Sequence, residues 1–193
     1  MTHPEPLPAW TPAFAGETEN GLGDLTGTRT EVHVPVPVAI SPPMIDDLYS
    51  AKVLSLTANI PRIGRLAAPQ GSAEKVAKLC GSRIVVDIAL DAAGRVADFA
   101  QDVKACALGQ AAASVLGANV IGAGVDEIAT ARDQLSAMLK SGGPAPTGRF
   151  EDLAVLAPVK DYPARYASTL LAFEAAVEAA RIAASRTSGA DAA

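Results

Sequence analysis

With 193 residues, 49% hydrophobic but only 4% aromatic, the chain can fill one core of small side chains and carry a tail or two. A formal net charge of -5 and no Lys/Arg cluster exclude an ordinary nucleic-acid binder, since phosphate recognition needs a concentrated basic surface. No apolar run reaches the ~18–20 residues of a membrane span, and MTHPEPLPAW lacks the basic-then-apolar order of a secretory signal.

Residues 1–43 carry Pro4, Pro6, Pro8 and Pro12, then polar residues without period, and are expected to form a disordered or loosely attached leader. Val32 to Ile40 alternates like a strand, but Pro35 and Pro37 remove ladder donors and favour an extended segment or an edge strand. The only histidines, His3 and His33, fall in this leader and are expected to face solvent. Residues 44–185 are expected to form the folded domain, and 186–193 a flexible tail.

The first helix is expected from Met44 to Asn59. Ile45, Leu48, Tyr49, Val53 and Leu56 recur at helical spacing, Asp46 and Asp47 fall in the first turn, and Pro61 closes the far end. NIPRIGRL then reads as a turn, and Gly71 to Leu79 as a weakly patterned strand. Ile84, Val86, Ile88 and Leu90 alternate with Val85, Asp87 and Ala89, the period of a half-buried strand. Asp91 to Gly94 supplies a hairpin turn, and Ala97, Phe99, Gln101 and Val103 mark one face of the returning strand.

From Ala107 to about Gly122 small residues dominate, as suits a helix lying close to a sheet. A second helix carries Val125, Ile128, Ala131, Leu135, Met138 and Leu139 on one face and ends at SGGPAPTG, 141–148. Phe150 to Leu156 is a short apolar piece. The last helix is expected from about Ala164 to Ala184, with Ser168 near its start. The fold class that follows is α+β: a small antiparallel sheet of about three strands with helices packed on one face.

Chemistry rests on the two cysteines, Cys80 just before the hairpin and Cys106 just after it. The hairpin should bring both to one end of the sheet. Three readings stay open from spacing alone: metal or cluster ligands, a redox pair, or two buried small hydrophobes. Two thiols cannot by themselves close a zinc or [2Fe–2S] site, which takes four ligands. Ser–His and Cys–His catalysis lack a base, because the folded part has no histidine. No phosphate loop is present: the glycines of IGAGVDE precede no Lys-Ser/Thr.

From Ile45 to Ala180 the chain resembles the IscU/NifU N-terminal iron–sulfur cluster scaffold family. The matching residues are Leu48-Tyr49, Pro61-Arg62-Ile63-Gly64, Cys80-Gly81-Ser82, Cys106 in KACALGQAAAS, and Pro163 to Ala172. Ser82 stands where the family has an aspartate, Ser168 where it has a third cysteine, and Ala167 where a histidine is often found. The resemblance implies a non-enzymatic cytoplasmic scaffold or carrier that binds iron or a [2Fe–2S] cluster, or zinc when isolated. Cys80 and Cys106 would be the metal ligands, with Ser82 and Ser168 lining the site. A serine hydroxyl is a poor ligand for iron or zinc beside a thiolate. The missing ligands would come from glutathione, a desulfurase cysteine or a second copy in a homodimer. The implied partners are a cysteine desulfurase, which delivers sulfur as persulfide, and cluster-acceptor proteins. The alternative is a relative that has lost cluster binding and serves as an interaction or regulatory module. Leu156-Ala157-Pro158-Val159-Lys160 resembles the family's chaperone-binding motif weakly and reads better as a plain loop.

Overall fold

The computed structural model describes residues 48–190. The leader, with His3, His33 and Val32–Ile40, and the expected start of the first helix, with Ile45, Asp46 and Asp47, lie outside the described residues. Seven principal elements follow in order: α1 (Ala51–Ala58), β1 (Gly71–Ala77), β2 (Ser82–Leu90), β3 (Val96–Lys104), α2 (Ala107–Asn119), α3 (Val125–Ser141) and α4 (Tyr166–Ala190). A run of 3-10 turns, Gly148–Asp161, and a short one, Pro163–Arg165, lead into α4.

The strands form one antiparallel sheet in the order β1-β2-β3, and the architecture is the α+β one expected from sequence. Asp91 shapes the β2–β3 turn: its Oδ1 accepts the backbone N–H of Ala93 and of Arg95, each at 2.9 Å. Gly94 takes a φ of +73°, a conformation open to glycine at little cost. Ile84, Val86, Ile88 and Leu90 face the helices and are buried. Each such side chain contributes roughly 1.5–3 kcal/mol of burial.

Helix α4 lies at the centre of the helical layer and packs on β1, β2, α2 and α3. Its contact with β1 needs small residues, and Gly71, Ala73 and Ala77 supply them. A Cβ at Gly71 would lie 1.9 Å from the Ala179 carbonyl oxygen.

Several local expectations need correcting. The first helix is interrupted at Tyr49–Ser50: Leu48 is helical, and α1 starts afresh after Ser50, whose Oγ accepts the Val53 N–H at 3.3 Å. A serine that satisfies an orphan N–H in this way favours a cap over helix interior. Ala97 is exposed and Val96 takes the inward place, because a register shift at Ala89/Leu90 moves the end of the strand by one residue. The Phe150 piece extends to Asp161 as 3-10 turns kinked at Phe150. Phe150, Leu153, Leu156 and Val159 are all buried, a spacing of three that matches three residues per turn. The segment Leu156–Lys160 is therefore not a plain loop, since two of its apolar side chains point into the core. The last helix is preceded by its own 3-10 turn and continues to Ala190.

Asp87 differs most from expectation. Alternation puts it on the solvent face, yet it is fully buried. Residues 61–70 run along the β3 edge, through Gly64 N–H to Gln101 O and Gln101 N–H to Arg62 O, and then cover this carboxylate. Arg65 grips it with two donors, at 2.6 and 3.0 Å, and the Leu66 N–H adds a third at 3.1 Å. Burial pushes the Asp87 carboxyl up, but hydrogen bonds from Arg65, Ser72 and Leu66 outweigh it and hold it below the usual carboxylate range. Its contribution to stability is present above the unfolded carboxylate pKa of about 3.9 and lost as pH falls through the lower folded value. Asp87→Asn is expected to cost about 1–3 kcal/mol at neutral pH. It should also flatten the loss of stability below about pH 4, as urea unfolding across that range would show. Parallel pH curves for both proteins would refute the assignment.

Candidate functional site

The rim where β2 begins, and where α2 and α4 both start, gathers Cys80, Ser82, Cys106 and Ser168. Cys80 stands in the tight β1–β2 connection, whose backbone closes by Cys80 N–H and Gly81 N–H to the Ala77 carbonyl. Gly81 has a φ of +69°, and glycine lets the chain turn straight into Ser82 at the head of β2. Cys106 is the residue before α2, with extended backbone. Ser168 lies in the first turn of α4, fully buried.

One serine hydroxyl ties the cysteines together, and a second touches Cys106. The Ser82 Oγ is 3.1 Å from the Cys80 sulfur and accepts the Cys106 N–H at 3.3 Å. Because that hydroxyl accepts from Cys106, its own proton is free to point at the Cys80 sulfur. The Ser168 Oγ lies 3.5 Å from the Cys106 sulfur. It is anchored by donating to the Arg165 carbonyl at 3.0 Å. Ser82 thus links the Cys80 sulfur to the Cys106 backbone, Ser168 touches the Cys106 sulfur, and both thiols are free rather than joined in a disulfide.

A glycine makes this convergence sterically open. At Gly109 a Cβ would lie 2.8 Å from the Ser168 carbonyl oxygen, so only glycine lets α2 and α4 touch beside the thiols.

Cys80 is exposed and Cys106 half-buried. Hydrogen bonds from the Ser82 hydroxyl and then its N–H lower the Cys80 pKa below that of an ordinary thiol. Burial opposes this slightly, while the Ser168 hydroxyl and the Arg165 charge add to it. Sequence reading gave no role to Arg165; its signal was its place three residues before Ser168, one helical turn away. Cys80 should therefore alkylate before Cys106 with iodoacetamide at neutral pH. Ser82→Ala should slow Cys80 severalfold there and leave its rate unchanged in strong base, where the thiol is ionised anyway. Peptide mapping by mass spectrometry follows both sites, and an unchanged neutral rate would remove Ser82 from this role.

As a metal site the donor set is short. Among the described residues, no three His, Cys, Asp or Glu side chains lie together as a set for an ion. The rim supplies two thiols and two hydroxyls, half of what a tetrahedral thiolate site needs.

The model of the NifU-like N-terminal domain matches residues 48–169, spanning both cysteines and Ser168. The chain belongs to this family. Among solved structures, a NifU-like N-terminal protein from Brucella abortus is 50% identical, with a TM-score of 0.71, over 73% of this chain and 97% of that one. A putative iron–sulfur cluster assembly scaffold protein for the SUF system from Fervidobacterium islandicum AW-1 is 19% identical, with a TM-score of 0.64. It covers 70% of this chain and 98% of its own, and shows the likeness of fold alone. Among curated proteins, none matches the chain. No helix of the described residues is long and apolar enough to cross a membrane.

Proposed function

We propose that this NifU-like chain is a scaffold or carrier in iron–sulfur cluster assembly, not an enzyme, and that it holds iron or a [2Fe–2S] cluster as cargo through Cys80 and Cys106. The observation that supports this reading is the meeting of both cysteines at one rim, where the Ser82 Oγ lies 3.1 Å from the Cys80 sulfur and accepts the Cys106 N–H, and the Ser168 Oγ lies 3.5 Å from the Cys106 sulfur. The exposure of Cys80 opens that rim to a partner. Each iron of a [2Fe–2S] unit takes two protein ligands. Two thiolates therefore serve one iron, and the other iron takes its ligands from glutathione, a desulfurase cysteine or a second copy. Partners of this role are a cysteine desulfurase and cluster-acceptor proteins. A cytoplasmic setting suits it, since thiols stay reduced there.

A second reading has one observation in its favour: serine occupies the place of a third thiol. The chain would then be an interaction module that no longer holds cargo. Anaerobic reconstitution of the full chain with iron, sulfide and glutathione separates the two. The scaffold reading expects visible cluster absorbance with bound iron and sulfide, lost in Cys80→Ser and in Cys106→Ser. No uptake, together with a stable desulfurase complex, would establish the module instead.

A further inference from the structure

We infer that, without any outside ligand, the Cys80–Cys106 rim is a two-coordinate site for a soft monovalent metal ion, copper(I), and selects it over zinc(II) and iron(II). The inference uses the same two ligands as the scaffold reading but does not depend on a cluster being formed.

The donor set leads to it. Zinc(II) and iron(II) seek four donors, and here a divalent ion would have to complete its shell with neutral serine hydroxyls or water. Copper(I) is soft, prefers thiolate to oxygen, and is a closed-shell ion that two thiolates can satisfy. The two cysteines meet at Ser82, whose Oγ lies 3.1 Å from the Cys80 sulfur and accepts the Cys106 N–H at 3.3 Å, while the Cys106 sulfur rests 3.5 Å from the Ser168 Oγ. No imidazole, carboxylate or further thiol among the described residues joins them as a third ligand. Binding exchanges two thiol protons for one cation: two R–SH and Cu⁺ give a bis-thiolate copper(I) anion and two H⁺. That anion carries one net negative charge, and the Arg165 charge, which favours the Cys80 thiolate, would offset the excess. A zinc bis-thiolate would be neutral and gain nothing from the same arginine. Both thiols start out unbonded to one another, so no reductant is needed to open the site.

The test is an anaerobic titration of the full chain with copper(I), with a copper(I) chelator as competitor and chain mass monitored throughout. The expected result is one copper(I) per monomer, undisturbed by equimolar zinc(II). Cys80→Ala or Cys106→Ala should each weaken binding by more than the roughly 10–100-fold typical of losing a supporting residue. Arg165→Gln should weaken copper(I) by about two- to fivefold, the range of an exposed charge pair, and leave zinc(II) unmoved. One copper per two chains, displacement by equimolar zinc(II), or full binding by either cysteine variant would overturn the inference. Reconstitution with iron, sulfide and glutathione is read separately. A cysteine-dependent cluster without one-to-one copper(I) sinks this inference alone. One-to-one copper(I) without any cluster sinks the scaffold reading alone.

Discussion

Ser168→Cys is expected to convert the two-thiol rim into a three-thiol site and raise zinc(II) affinity at least about tenfold, a difference of ~1.4 kcal/mol. The Ser168 Oγ already lies 3.5 Å from the Cys106 sulfur, so a thiol there would stand on the same rim. The position is fully buried, and cysteine tolerates burial as a small, weakly polar side chain. Zinc(II) would gain a third thiolate and keep one open place for water, the coordination of an open site. The same variant should retain a reconstituted cluster with less dependence on added glutathione. Zinc competition and iron analysis measure the two effects. Unchanged values for both would mean that residue 168 does not share the rim with the cysteines.

Gly71→Ala should be the most damaging single methyl in the fold, at about 3 kcal/mol or more, the upper end for overpacking against atoms that cannot move aside. Its Cβ would meet the Ala179 oxygen at 1.9 Å and the Ala183 nitrogen at 2.7 Å, both backbone atoms of α4. Relief requires β1 to lift from α4, which would loosen the small-residue contact through Ala73 and Ala77 and with it the strand that leads to Cys80. Urea unfolding measures the loss, with Gly94→Ala as a control in open space, where a Cβ meets nothing within 4 Å. At Gly94 the cost is confined to the positive φ, about 1 kcal/mol. Equal effects at the two glycines would contradict the close β1–α4 approach.

Much of the site was legible because its signals are local. The alternation of Ile84 to Leu90, the Asp91–Gly94 turn and the flanking cysteines state a hairpin that carries both thiols to one rim, and the chain folds that way. The resemblance carried by Cys80-Gly81, Cys106 and the stretch around Ser168 led to the right family. What stayed hidden depends on contacts far apart in sequence. Asp87 looks like a solvent-facing strand residue until residues 61–70 close over it. The inward turn of Val96 in place of Ala97 needs the register shift at Ala89/Leu90, which no periodicity announces. The break at Ser50 was visible in principle as a capping residue but competed with a good helical spacing across it. The 3-10 run was visible too, in apolar residues three apart from Phe150 to Val159, a period that neither helix nor strand templates look for.

The convergence of Cys80 and Cys106 on one point is tested most directly with phenylarsine oxide, whose single arsenic forms a stable dithioarsenite, with loss of one water, only where two sulfurs can reach it. Native mass spectrometry of the full chain should show one adduct per monomer, absent from both Cys80→Ser and Cys106→Ser. No stable adduct on the intact chain, or one that survives either substitution, would contradict the shared rim.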